Sequence, residues 1–360
     1  MWFKKAFFSF FANSPHSKLY FTLVIIGLIP LLVISEYNNW GGDFSLYLNQ
    51  SIGFLEGDLT SIYQKQHLLS NYQRLGPYLY PMGTSVLISP VLFFFGVNLY
   101  YVKVYGLIYW IGSLFFLYKY LKFLFPDNEN IYKVLLFISL SYPFITILNT
   151  VQADIYFFFF FNLIVYSFLL IKKRVSFVRG LFFGIILFIL YSIKTEGIIV
   201  VALYSFYSLI QTIKHRKLVY TLPLVVFGVF YFFYNILFPF DFSSNQLDFV
   251  YNNLSIHSVL NNLSYYSYIF AQYISGGLFY IIDDFSTLNI LTFLIVLLFF
   301  VSLTIYHKKV LLTIKKGGFI YFVLVVFISF FIMLPMTNGL RYLFPIFPIL
   351  IFLIFNIISR

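Results

Sequence analysis

Ten apolar runs, each close to the length that crosses a bilayer, follow one another along this chain with very little charge inside them. They are Leu19 to Ser35, Leu99 to Leu121, Ile131 to Asn149, Ile155 to Ile171, Leu181 to Ile193, Gly197 to Ile213, Leu218 to Phe238, Asn289 to Tyr306, Phe319 to Pro335 and Tyr342 to Ile358. A helix needs roughly 20 apolar residues to cross the hydrocarbon layer, and a soluble chain could not hide so much apolar surface in one core. The runs therefore predict an all-α integral membrane protein with about ten transmembrane helices, residues 1–360 forming a single transmembrane domain. Composition agrees: 61% of residues are apolar and 10% charged, against about a quarter charged in soluble domains. Little chain remains for a separate soluble catalytic domain, so chemistry is expected in the loops or at helix ends. The run from Thr84 to Phe95 is shorter, contains Pro90 and ends at Gly96. It reads as a half-inserted or interfacial segment.

The net charge of +11 is resolved by its distribution. With the N-terminus inside, 18 of the 23 basic residues fall on the inner side, in clusters at Lys4, Lys5 and Lys18, at Lys119, Lys122 and Lys133, at Lys172, Lys173, Arg174 and Arg179, at Lys214, Arg216 and Lys217, at Lys308, Lys309, Lys315 and Lys316, and at Arg360. Ten of the 12 acids fall outside, leaving Asp127 and Glu129 within. This is the positive-inside pattern. It places both termini on the cytoplasmic side and gives nucleic-acid binding no support. Counting Thr84 to Phe95 as a full span would turn every later lysine cluster outward.

Cysteine is absent, which removes disulfides and thiol metal sites. His16, His215 and His307 lie beside inner lysines, and His67 and His257 stand alone outside. P-loop, Gly-x-Ser-x-Gly and His-Glu-x-x-His motifs do not occur.

Two outer stretches are long: residues 36–83, with surface helices, and residues 239–288. In the first, Phe44, Tyr47, Leu48, Ile52, Leu55 and Leu59 recur at helical spacing between polar residues, the pattern of an amphipathic helix on the membrane surface. Asp43 precedes it, behind Trp40-Gly41-Gly42, where an N-cap is the simplest role. Asp154 and Glu196 likewise precede apolar runs, positions that a helix N-terminus stabilises. The three carboxylates share one side with Lys194 and Arg341, and this convergence points to an outward-facing site. The remaining outer basics are Lys65, Arg74 and Lys103; interfacial anchoring by snorkelling is the expectation for Lys65 and Lys103. Outside the cytoplasm, where nucleotide sugars and ATP are not available, group transfer draws on a donor carried by a membrane lipid. Transfer from a lipid-phosphate sugar to a hydroxyl needs a carboxylate to take the acceptor proton, which Asp43 fits, and positive charge on the departing phosphate, which Arg341 or Lys194 fits. A divalent cation held by Asp43 and Asp154 would share that work.

The segments NNWGGDFSLYLNQS (Asn38 to Ser51), YLYPMGTSVLISPVLFFFG (Tyr78 to Gly96), SYPFITILNTVQADIYFFFF (Ser141 to Phe160), YSIKTEGIIV (Tyr191 to Val200) and NGLRYLFPIFPIL (Asn338 to Leu350) stand in an order that resembles the GT-C superfamily of polytopic glycosyltransferases, especially the bacterial branch akin to protein O-mannosyltransferases and aminoarabinose transferases. The resemblance implies a GT-C-like fold in a bacterial inner membrane and a polyprenyl-phosphate sugar donor. The acceptor would be a glycan, lipid or protein on the extracytoplasmic face. Carried over by position, Asp43 is the catalytic acid/base residue and Asp154 a second acidic site residue. Arg341 contacts the donor phosphate, with Lys194 and Arg74 beside it and Glu196 and Tyr342 in support. Lys194 stands near where the family commonly has Arg, and a single Asp stands where some members have an acidic pair. Two other readings compete. A polysaccharide polymerase or flippase would favour larger, arginine-rich outer loops. A membrane transporter would place ionisable residues near mid-membrane on broken helices.

Overall fold

The computed structural model describes residues 29–32, 34–35, 43–62, 80–126, 128–238 and 347–358, together with 255 and 345. Among these residues all regular structure is helical, the form in which a lipid-embedded backbone satisfies its own polar groups. In chain order the helices are α1 (Asp43–Glu56), α2 (Met82–Phe95), α3 (Leu99–Leu124), α4 (Asn130–Leu140), α5 (Tyr142–Leu148), α6 (Ala153–Lys173), α7 (Phe177–Ile193), α8 (Gly197–His215), α9 (Leu222–Leu237) and α10 (Phe347–Ile358), with short 3-10 turns at Ile29–Leu32 and Leu218–Tyr220. Helices α3, α6 and α8 are long and apolar enough to cross a membrane. The runs predicted at Asn289 to Tyr306 and Phe319 to Pro335, and the outer stretch 239–288 apart from residue 255, lie outside the described residues, as does most of Leu19 to Ser35.

Helix α6 is the core of the bundle. Both its faces are buried, and its aromatic side chains interlock with those of α3: Tyr109 meets Tyr156 at 4.7 Å and Phe159 at 5.3 Å between ring centroids, both edge-on. Edge-to-face packing of this kind holds helices together where lipid removes the usual hydrophobic drive. Charge is segregated along the same helices. Helix α6 carries Asp154 in its first turn and Lys172 and Lys173 in its last, and α8 starts after Glu196 and ends on Lys214 and His215. At the basic end, Arg179 Nη1 donates to Leu170 O and Arg174 O at 2.9 and 3.0 Å. There too the Asn130 amide donates to Phe355 O and Asn356 Oδ1, docking α10.

Two expected elements are divided. The run Ile131 to Asn149 is not one helix: the chain leaves α4 at Ser141 in an extended conformation, and α5 restarts with Pro143 in its first turn. Proline tolerates a helix start and breaks a helix interior. The surface helix ends at Glu56 rather than running to Leu59. Gly57 takes φ +73°, and Asp58 N donates back to Gly53 O at 2.8 Å. A fresh helical turn at residues 59–62 then begins, with Asp58 Oδ1 accepting from Ser61 N at 3.3 Å.

Helix α2 has 14 residues, about 21 Å at the usual rise, which is too short to cross. Its two ends also sit at the same end of the bundle. At the start, Met82 N donates to the Tyr234 hydroxyl at 2.9 Å. A Cβ on Gly83 would stand 2.5 Å from the Ser192 carbonyl, so only glycine permits that approach. Ser192 lies two residues before Lys194. At the far end, Gly96 and Asn98 turn the chain into α3, whose Lys103 reaches Asn149, five residues before Asp154. Since Asp154 and Lys194 are themselves in contact, both ends of α2 lie near the same helix ends. Its tail, Phe93, Phe94 and Phe95, is exposed.

Candidate functional site

Three helix ends bring three charges together. Lys194 is the residue after α7, Asp154 lies in the first turn of α6, and Glu196 occupies the N-cap position of α8. Each charge therefore meets the helix-dipole end that favours it, carboxylates at N-termini and the ammonium at a C-terminus. Lys194 Nζ donates to Asp154 Oδ1 at 3.0 Å and stands 4.0 Å from Glu196 Oε1, with side chains 12%, 3% and 17% exposed for Lys194, Asp154 and Glu196. The same Nζ lies 5.8 Å from the centre of the Phe157 ring, within range of a cation–π attraction. The turn that creates this grouping depends on Gly197: a Cβ there would lie 2.8 Å from the Tyr191 backbone, so the Lys-Thr-Glu-Gly segment can fold back on α7 only with glycine at its end.

Helix α1 is clasped to the same end of the bundle through α2. Gln50 Nε2 donates to Tyr80 O at 2.7 Å, Ser51 Oγ donates to Ser85 O at 2.9 Å, and the Tyr47 and Tyr80 rings lie 5.0 Å apart. In this register the contacts advance along both helices in the same direction. The N-terminus of α1, where Asp43 is the first helical residue, thus points toward the N-terminus of α2 and its contact with Ser192. Asp43 stands inside the helix rather than before it. Arg74, Arg341 and Tyr342, and with them Lys65, His67 and His257, lie outside the described residues.

Asp154 is positioned by the ion pair, and this bears on a cation. With the Lys194 ammonium on its Oδ1, Asp154 does not fit as a cation ligand, because a metal there would face a like charge at contact distance. Among the described residues no group of three or more His, Asp and Glu side chains could hold a metal.

Lys103 corrects a sequence expectation. It is not an interfacial anchor; its side chain is 2% exposed. Its Nζ donates to Ser35 O at 2.8 Å and to Asn149 Oδ1 at 3.2 Å, while Ser35 N donates to the same Asn149 oxygen at 3.1 Å. The signal available in the sequence was a lysine one turn inside an apolar helix on the side where lysines are scarce. Gln50 and Ser51, both buried, fix α1, and an amphipathic pattern does not distinguish them from the other polar residues of the segment.

No known family profile and no curated protein sequence matches this chain. Its fold does match a solved structure. The crystal structure of ArnT from Cupriavidus metallidurans in the apo state aligns with a TM-score of 0.55 over 96% of this chain, at 12% sequence identity. The chain spans 60% of that protein's length. The likeness is one of architecture: among the described residues the chain is all-helical, with three helices long and apolar enough to cross a membrane, and it folds like that membrane protein.

Proposed function

We propose that this protein is a glycosyltransferase that moves a sugar from a polyprenyl-phosphate donor to a glycan, lipid or protein acceptor on the extracytoplasmic face of the bacterial inner membrane. The observation that carries the reading is the grouping of Lys194, Asp154 and Glu196 at the end of a bundle with an ArnT-like fold, toward which the Asp43 end of α1 points. In the reaction, the acceptor hydroxyl oxygen attacks the anomeric carbon. The bond from that carbon to the phosphate oxygen breaks, and polyprenyl phosphate departs with the bonding electron pair. Asp43 takes the hydroxyl proton as general base. Lys194, Arg341 and Arg74 offset the charge that develops on the departing phosphate. In this role Lys194 stays on Asp154, which aims its ammonium, and turns a remaining N–H toward the phosphate. Glu196 and Tyr342 support the same pocket. The helix α2, with both ends near that bundle end and its aromatic tail exposed, gives a lipid-borne donor a lateral approach.

The test is transfer of a labelled sugar from lipid phosphate in membranes containing wild-type chain or Asp43→Asn at equal expression. Loss of about 100-fold or more in rate is expected of an absent general base. Undiminished transfer by Asp43→Asn would remove the assignment.

A further inference from the structure

The end of the bundle opposite Lys194 and Asp154 gathers basic side chains from two separate helix ends. Helix α6 runs for 21 residues, about 30 Å at the usual rise, so its last turn lies far from the proposed transfer site. Lys172, Lys173 and Arg174 are exposed there, and so are Lys214, His215, Arg216 and Lys217 at the end of α8. Packing brings the two groups to one place. Arg179 Nη1 donates to Leu170 O and Arg174 O, folding the start of α7 back on the end of α6. Gly180 lets α9 approach α7, since a Cβ there would lie 3.0 Å from Leu222 Cδ2. The turn between α8 and α9 is held on α8 by the Tyr204 hydroxyl and Ser208 Oγ, which donate to Tyr220 O at 3.0 and 2.8 Å. The Phe168 ring of α6 meets the Tyr207 ring of α8 edge-on, 4.8 Å between centroids.

Residues 153–238 contain no acid besides Asp154 and Glu196, and among the described residues the ion pairs lie at the other end of the bundle. Helix dipoles account for Lys172, Lys173 and Lys214, which stand in last turns. They do not account for Lys217, past the end of α8, or for Arg216, which holds φ +52°, a conformation in which glycine is the easier residue. Beside these charges, Phe177 and Val178 of α7, together with Ile213 and Leu218 around the α8 cluster, are exposed apolar residues. A soluble anion would engage the charges and leave the apolar side chains uncovered. A phospholipid engages both, and basic pockets between transmembrane helices take such headgroups. We propose that this end of the bundle binds an anionic phospholipid. Its phosphate lies between the α6 and α8 clusters, and its acyl chains lie against Phe177, Val178, Ile213 and Leu218. The proposal stands independently of the transferase reading.

The chain contains no cysteine, which allows a direct test. Val178→Cys takes one donor fluorophore beside the clusters, and Phe94→Cys, exposed near the opposite end, takes the same donor as the reference. The full chain is reconstituted in phosphatidylcholine nanodiscs with rising mole fractions of acyl-labelled phosphatidylglycerol, and energy transfer to the lipid is recorded. At Val178 transfer is expected to saturate at low mole fraction, and at Phe94 to rise in proportion to the label. Unlabelled phosphatidylglycerol should compete at Val178, and added phosphatidylcholine should not. Arg216→Gly suits the positive φ and removes one charge; it should raise the half-saturating fraction about 5-fold, and Lys172→Gln with Lys173→Gln about 25-fold, at the usual strength of a basic residue near an anionic surface. All three substituted side chains are exposed, so the variants are expected to keep the wild-type melting temperature in phosphatidylcholine. Proportional transfer at Val178, saturation at Phe94 to the same extent, or half-saturation unchanged in both variants would each overturn the proposal. Competition by soluble glycerophosphoglycerol as strong as by the lipid would also overturn it, because the site would then be one for free anions.

Discussion

Removing Lys194 should destabilise the protein far more than removing both members of its ion pair. At 3.0 Å and an effective dielectric near 20, two unit charges attract by roughly 5 kcal/mol before desolvation is counted. Desolvating each ion costs several kcal/mol, so the intact pair is close to balance and the broken pair is not. Lys194→Met leaves the Asp154 carboxylate only 3% exposed and without its ammonium, a loss expected at about 3–5 kcal/mol. Asp154→Leu is milder, at roughly 1–2 kcal/mol, because Lys194 retains Glu196 at 4.0 Å and some solvent contact. The double variant removes both charges and should lie within about 1 kcal/mol of wild type. The cycle therefore predicts a coupling energy of roughly 4–7 kcal/mol. Equilibrium unfolding of the four proteins in mixed SDS micelles measures it. Additivity within about 0.5 kcal/mol, or Lys194→Met as stable as wild type, would refute the claim that the pair is a desolvated unit at the base of the site.

Further outcomes follow from the contacts. Gly83→Ala places a methyl group 2.5 Å from the Ser192 carbonyl, and unfolding should show a loss of about 1–3 kcal/mol. Gln50→Leu removes the donor to Tyr80 O and should raise hydrogen exchange across residues 43–56, while exchange in α6 stays at wild-type rates; uniform change would contradict a local clasp. Val97→Cys, at an exposed position beyond the end of α2, and Thr195→Cys, beside Lys194, should both react with a membrane-impermeant maleimide from one side. Labelling from opposite sides would mean that α2 crosses the membrane.

Much of this architecture is legible in the sequence because bilayer and charge leave few options. The long runs of α3, α6 and α8 were recoverable from length alone. The grouping of Asp154, Lys194 and Glu196 was recoverable because each charge stands at a helix end on the acid-rich side. The division of Ile131 to Asn149 turned on Pro143, a local signal outweighed by the apolar length around it. The stop after Glu56 turned on Gly57, whose positive φ an amphipathic pattern does not register. The burial of Lys103 is illegible in the sequence for a different reason. Snorkelling and burial place a lysine at the same depth in sequence, and only the tertiary approach of Ser35 and Asn149 distinguishes them. The pairing of Asp154 with Lys194 was likewise invisible as a contact, since 40 residues separate the two.

The most direct measurement of the central claim follows both products of a single reaction. Purified chain in nanodiscs, supplied with polyprenyl-phosphate-linked sugars and an envelope extract as acceptor, should release one polyprenyl phosphate for each sugar transferred. Asp43→Asn and Lys194→Met should each suppress both signals together. Sugar transfer that proceeds equally well in those two variants, or wild-type chain that releases no polyprenyl phosphate from any such donor, would contradict the account.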